Sequence, residues 1–310
     1  MRILVVGAGA IGGYFGARLL AAGRDVSFLV RPGRARQLEK TGLVVKSALG
    51  DVEIRKPPLI SAERVPGTFD VVLLSCKAYD LDGAIEGFAP AVGARTLVLP
   101  LLNGMRHLDA LDARFGAAAS LGGLCSISTT LDAEGRILHF GDFHSLSYGP
   151  REAAQAEPAA ALDAALAGAG FDARRSDRIM LEMWEKWSFI AAAAGITCLM
   201  RAAAGDMEAA GASDLAVGIL DECAGVAGAN GYPPREAAIA RGRAMLTAKG
   251  SAFVASMLRD VEKGGRTEAD HILGDLLRRA KAEPDPRSLL RIAYANLKSY
   301  DARKAREARL

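Results

Sequence analysis

The chain has 310 residues, more than one ordinary core accommodates, so two domains are expected. Half of the residues are apolar and 24% are charged, with 39 basic side chains against 36 acidic ones and a net charge of +3, as in a soluble globular protein. There is no basic block or aromatic-interleaved basic patch, which argues against nucleic acid as a partner; the stretch "DARKAREARL" reads as a solvated helix end.

In chain order, "RILVV" (2–6) is a continuous apolar strand, and "GAGAIGGYFGARLLAAG" then turns into a helix. "DVSFLV" (25–30), "FDVVLLSC" (69–76) and "TLVLPLL" (96–102) are further buried runs of strand length. Short apolar strands alternating with helical segments predict an α/β fold, a doubly wound parallel sheet covered on both faces. "GRILHFGDFHSLSYGP" (135–150) reads as an antiparallel addition with turn residues in its middle, and the following stretch to Ser176 as a surface helix and a last short strand. After about Asp177 strand-like runs vanish. Helical patterns follow at 178–200, 213–230, 234–262 (broken near Gly250), 266–282 and 286–308, so the expected domains are 1–177 and an all-α 178–310.

Four cysteines, at 76, 125, 198 and 223, form no CxxC pair, pointing to reduced thiols in a cytoplasmic protein. The four histidines lack metal-ligand spacing, and no structural metal is expected. The apolar opening could be mistaken for a signal peptide, but its glycine pattern and missing polar cleavage region argue otherwise. The longest uncharged apolar run, Trp187 to Met200, is too short to span a bilayer, so no membrane is expected as a partner.

Gly7, Gly9 and Gly12 form "GAGAIG" directly after a strand and at the start of a helix. The first glycine allows a tight turn, the second lets main chain approach a pyrophosphate, and the third lets helix and strand pack closely. Backbone N–H groups of the loop and helix start (Ala8, Ala10 and Ile11 among them) then face phosphate at the positive end of the dipole. An NAD enzyme usually has an acid at the end of the second strand. Here "LVRPGRAR" offers Arg31, Arg34 and Arg36 instead, and Arg31, first after the strand, is the best match for a 2′-phosphate, favouring NADP(H). The alternative is a solvated basic loop. Lys77 and Asn103 each follow a predicted parallel strand, at the end that faces the ligand crevice in such sheets. Lys77 could equally be a surface lysine, and Asn103-Gly104 an ordinary turn.

"RIMLEMWEKWSFIAAAAGITCLM" (178–200) reads as a buried helix with a lysine inside it. Met180, Met183, Trp184, Trp187, Ile190, Ala191 and Ala194 make one broad apolar face. Lys186 lies on its edge, with Met183, Ile190 and Ala194 three, four and eight residues away. Partial desolvation lowers a lysine pKa and makes the ammonium a better proton donor, and an ammonium aimed at a ketone oxygen stabilises the alkoxide formed on hydride transfer. The alternative is a snorkelling lysine with its head in water.

Taken together, "GAGAIGGYFGARLLAAG", "CKAYD", "LLNGM", "WEKW" and "SMLRDVEKGGRTEADHILG" resemble the ketopantoate (2-dehydropantoate) reductase family, in order over nearly the whole chain. The resemblance implies an N-terminal Rossmann domain, a helical C-terminal domain, an active site in the cleft between them, and reduction of a 2-oxo acid, 2-oxopantoate, with NADPH. It implies that Lys186 is the general acid and that Lys77 and Asn103 lie near nicotinamide and substrate. It also implies that Ser256 and Glu268 contact the substrate carboxylate and hydroxyl. Read without it, Glu268 is a helix-start acid and Ser256 a small packing residue. Glu268 paired with Lys186 could hold the ammonium and accept a hydrogen bond from the product hydroxyl.

The chain departs from the family pattern at three positions. The family usually has asparagines four and eight residues after the lysine and three before the serine, where this chain has Ile190, Ala194 and Phe253. Each lost hydrogen bond is worth roughly 0.5 to 1.5 kcal/mol. The expectation is a reductase with a more apolar pocket, acting on 2-dehydropantoate or a less polar 2-oxo acid. A homodimer is compatible with the apolar helices. Two other readings remain: a non-catalytic NADP-binding sensor or interaction module on the same scaffold, and a two-domain hydroxy-acid dehydrogenase using NAD.

Overall fold

The structure is a computed structural model that describes residues 1–281 and 285–309. The ends of two expected segments, residue 282 of the helix at 266–282 and residue 310 of the basic tail, lie outside the described residues. The chain divides into two compact units, Met1–Leu102 with His107–Ile179, and Asn103–Arg106 with Met180–Leu310.

In the first unit the chain runs β1 (Arg2–Val6), α1 (Ala10–Ala21), β2 (Asp25–Leu29), α2 (Pro32–Thr41), β3 (Leu43–Lys46), β4 (Val52–Ile54), β5 (Leu59–Ile60), β6 (Val71–Leu74), α3 (Leu81–Phe88), β7 (Leu97–Pro100), α4 (Arg106–Phe115), β8 (Gly122–Leu131), β9 (Ile137–Gly149), α5 (Ala156–Leu166) and β10 (Asp172–Arg175). The first sheet has the order β5-β2-β1-β6-β7, and its strands are parallel throughout. Along β1, Ile3 and Val5 join one apolar cluster with α1 side chains, while Leu4 and Val6 join another with Leu81, Ile85 and Phe88 of α3. Both faces are thus buried, which is why the strands read as unbroken apolar runs.

A second sheet has the order β10-β9-β3-β4, with β8 paired to β9. The expected turn inside 135–150 is corrected here: residues 137–149 form one strand, and the hairpin turn falls before it, at Asp132–Arg136. The register steps from Ile127 opposite His144 to Ser128 opposite Phe140, so residues 141–143 bulge from β9. "GD" is a genuine bend signal, but the flanking halves pair with β8 rather than with each other. His139 pins the bulge, one ring nitrogen bonding Phe143 carbonyl (3.1 Å) and the other Ser47 Oγ (2.8 Å). β3, β4, β5 and β8 had no counterpart in the sequence reading.

The second unit is helical: α6 (Ile179–Met200), α7 (Ala204–Ala209), α8 (Ser213–Ala229), α9 (Glu236–Leu246), α10 (Ser256–Glu262), α11 (Asp275–Arg279) and α12 (Leu289–Glu307). The break expected near Gly250 is a full non-helical stretch, residues 247–255, and the segment expected from 266 starts as a π turn, Asp270–Gly274, leading into α11. From Ala191 to Cys198, α6 is buried on every side, which explains its run of small and apolar residues. Glu222 on α8 caps α12, accepting from Ser288 Oγ (2.6 Å) and the amides of Leu289 (2.9 Å) and Leu290 (3.1 Å). A carboxylate at a helix N-terminus satisfies orphan amides and complements the dipole.

No described helix is long and apolar enough to cross a membrane. Among the described residues no disulfide forms, and no group of three or more His, Cys, Asp or Glu side chains is arranged to hold a metal.

Candidate active site

The glycine loop joins β1 to α1. Gly7 has φ +94°, which only glycine adopts without strain. At Gly12 a Cβ would lie 2.0 Å from Ser75 Oγ and 2.3 Å from the Gly7 carbonyl, so helix, loop and the residue after β6 are in closest approach there. Ser75 Oγ fastens this corner by donating to the carbonyls of Val6 (2.9 Å) and Gly7 (3.1 Å). Gly9 is different: a Cβ there would meet nothing within 4 Å. Gly9 is also the N-cap of α1, with no side chain covering the first amides and no acid in the first turn. A bare main-chain surface, open space and an uncapped dipole end form a cradle that fits a pyrophosphate.

Arg31, Arg34 and Arg36 separate in the structure. Arg34 is tied to the loop's underside, donating to the Ala8 carbonyl (2.9 Å), Gln37 Oε1 (2.6 Å) and the Gly135 carbonyl (3.0 Å). It braces α2 and the β8–β9 turn through contacts with residues distant in the chain. Arg36 is exposed. Arg31 is the N-cap of α2 and pairs with Asp80 at 2.9 Å, which with the hydrogen bond holds its guanidinium pKa above the ordinary value. Lys77 is exposed and precedes the short turn Ala78–Asp80, three residues beyond the end of β6.

Asn103, Lys186, Ser256 and Glu268 belong to the second unit. Lys186 lies on α6 and is half-buried, flanked by Glu185 and the buried Trp187. Glu185 accepts from the Arg235 amide (2.8 Å) and from Arg235 Nε (2.7 Å) at the start of α9. Burial works to raise its carboxyl pKa, but the bonds from Arg235 outweigh it and hold it below the ordinary range. On the other side, Trp187 Nε1 donates to the Ile272 carbonyl (3.0 Å) in the π turn, and the Ile272 amide donates to the Glu268 carbonyl (3.0 Å). The segments bearing Lys186 and Glu268 are therefore joined by two hydrogen bonds through one residue. π turns inside helices are frequent at functional sites.

The structure also brings in His271, which the sequence reading passed over. Its imidazole is 5% exposed and hydrogen-bonds the main chain of Asn103. Burial pushes its pKa below the ordinary value, against the pull of Glu268 and Asp275, while Arg106 adds to the lowering. Ser256 is exposed at the first position of α10, so the expectation of a packing residue is corrected. Ile190 is half-buried and Ala194 buried, one and two turns along α6 from Lys186, and the Phe253 ring packs on Phe189 at 5.9 Å.

A parallel doubly wound sheet with this glycine loop defines a dinucleotide-binding protein of the Rossmann type. Residues 3–153 match the family model described as ketopantoate reductase PanE/ApbA, and residues 178–301 match its C-terminal companion. The chain belongs to the ketopantoate reductase PanE/ApbA family and is an oxidoreductase. It is 40% identical over 305 residues to "Uncharacterized oxidoreductase YkpB" of Bacillus subtilis, across 98% of this chain and 100% of that one. The 2-dehydropantoate 2-reductase of Methylococcus capsulatus superposes with a TM-score of 0.84 at 28% identity, over 98% of each chain. D-mandelate dehydrogenase, in a ternary structure with NADH and anilino(oxo)acetate, shares the fold with a TM-score of 0.87 at 21% identity, over 98% of this chain and 99% of that one.

Proposed function

We propose that this protein reduces a 2-oxo acid to a 2-hydroxy acid with NADPH, the substrate being 2-dehydropantoate or a less polar relative. The observation that carries the reading is the half-buried Lys186 on α6, its segment bonded through Trp187 and Ile272 to the turn that begins at Glu268. Gly7, Ala8, Gly9, Ala10, Ile11 and Gly12 would hold the pyrophosphate and Arg31 the 2′-phosphate. When bound, the reduced nicotinamide supplies the hydride.

The Lys186 ammonium stabilises the charge developing on the substrate oxygen and donates the proton to it. Glu268 orients that ammonium and accepts from the product hydroxyl. Lys77 and Asn103 would hold nicotinamide and substrate, and the exposed Ser256 would donate its hydroxyl to the substrate carboxylate. With Ile190 and Phe253 apolar, the pocket favours a substrate with fewer hydroxyls to satisfy, whereas Ala194, 1% exposed, is enclosed within the helical unit and does not line it. A cytoplasmic location accords with the reduced-thiol reading, and a homodimer with the apolar C-terminal helices.

Steady-state NADPH oxidation against a panel of 2-oxo acids tests the proposal. Lys186→Ala is expected to lower turnover on the order of 10²-fold or more while the NADPH Kd holds. Turnover unchanged in Lys186→Ala removes the lysine from the chemistry. A 2-dehydropantoate specificity constant equal to that of efficient reductases overturns the apolar-pocket part.

A further inference from the structure

The sequence pattern for an NAD-binding acid fails at the end of β2, where Arg31 stands. The fold supplies an acid there from elsewhere. β2 and β6 are the two neighbours of β1, whose end carries the glycine loop. Arg31 follows β2 and Asp80 follows β6, and their side chains meet at 2.9 Å. Asp80 is the N-cap of α3, a position where aspartate normally binds its own helix's amides, yet it makes no such bond. Its carboxylate is turned to Arg31 instead. The arginine side chain stays 71% exposed, so the pair is open to a ligand rather than sealed in the core.

We infer that Asp80 sets the cofactor preference of this enzyme: its carboxylate opposes a 2′-phosphate at Arg31 and accepts a free 2′-hydroxyl, so NADH is used as well as NADPH. The inference rests on the reading that Arg31 receives the 2′-phosphate. A 2′-phosphate reaching Arg31 either displaces Asp80, leaving a carboxylate beside a near-dianion, or shares the guanidinium with it. The ribose 2′-hydroxyl of NADH is a donor, and a carboxylate at this end of the sheet is the partner that NAD enzymes use. One pair therefore offers a cation to one cofactor and an anion to the other.

The test is the Kd of NADPH and of NADH, by fluorescence titration, for wild type, Asp80→Asn, Asp80→Glu and Arg31→Ala. Asp80→Asn is expected to raise the ratio Kd(NADH)/Kd(NADPH) by about three- to tenfold, the size expected for one like-charge contact at a solvent-exposed site. Asp80→Glu returns the ratio toward wild type, and Arg31→Ala lowers it. A ratio that is unchanged or falls in Asp80→Asn, while Arg31→Ala lowers it, overturns the inference alone. An unchanged ratio in Arg31→Ala overturns the placement of the 2′-phosphate and the inference with it.

Discussion

The indole of Trp187 donates to the main-chain carbonyl of Ile272 across 3.0 Å, both in buried surroundings. Since the Ile272 amide is bonded to the Glu268 carbonyl, Trp187 fixes the turn on which Glu268 sits while standing next to Lys186 in sequence. Trp187→Phe keeps an aromatic ring and removes the donor, leaving a buried carbonyl without its partner. A loss of about 1 to 3 kcal/mol of stability is expected. Under the proposed mechanism turnover should fall by more than the KM changes, because the positions of Lys186 and Glu268 loosen together. Denaturant unfolding and steady-state kinetics on the same preparation check both parts. Unaltered unfolding would show that the bond contributes nothing.

Two alanine substitutions in the glycine loop should fail in different ways. In Gly12→Ala the new methyl lies 2.3 Å from the Gly7 carbonyl, a main-chain atom that cannot rotate aside, so the protein should lose at least about 1 to 3 kcal/mol of stability. In Gly9→Ala the methyl meets nothing within 4 Å, and stability should hold. The methyl then stands where main chain must approach phosphate, and the Kd of both NADPH and NADH should rise together. Thermal unfolding paired with cofactor titration separates the two outcomes. A Gly9→Ala variant with unaltered affinity would move the phosphate site elsewhere.

What the sequence showed of this architecture depended on whether the deciding interaction was local. The glycine loop, the apolar strands of the first sheet and α6 announce themselves because period and spacing lie within a single element. β8 did not: "GGLCSISTTL" is half-exposed, with polar residues on both faces, and pairs only with β9. The bulge at 141–143 imitated a hairpin turn because glycine and aspartate serve either purpose. In the site, Lys186 was legible from its helix. Asp80 against Arg31, Arg34 under Ala8, and His271 on Asn103 were not, since each joins residues far apart in the chain.

Restoring one polar position on α6 tests substrate choice. Ile190 is half-buried one turn beyond Lys186, so an amide there can reach a ligand without being sealed in the core. Ile190→Asn should raise the specificity constant for 2-dehydropantoate by about two- to tenfold, the worth of one hydrogen bond, and lower it for apolar 2-oxo acids. Ala194→Asn is a poorer test, because Ala194 is 1% exposed and an amide there must find partners inside the helical unit. Equal changes for polar and apolar substrates in Ile190→Asn would show that this residue does not line the pocket.

Stability should depend on acid through the buried imidazoles. His271 and His144 both have pKa values below the ordinary 6.5, mainly through burial; at His144 the charges of Arg18 and His139 add to the lowering. In the unfolded chain these rings take up protons near pH 6.5, whereas in the native protein they stay neutral to lower pH. Below that point the unfolded state binds more protons, so stability falls as pH falls, and is unaffected by these groups above it. Each ring contributes at most about 1.4 kcal/mol per pH unit. His271→Gln keeps a donor for the Asn103 main chain and removes the titration, so unfolding curves between pH 7.5 and 5 should show a shallower acid loss than wild type. An identical slope would mean that His271 takes up its proton over the same pH range in the native and unfolded protein, with Glu268 and Asp275 offsetting its burial.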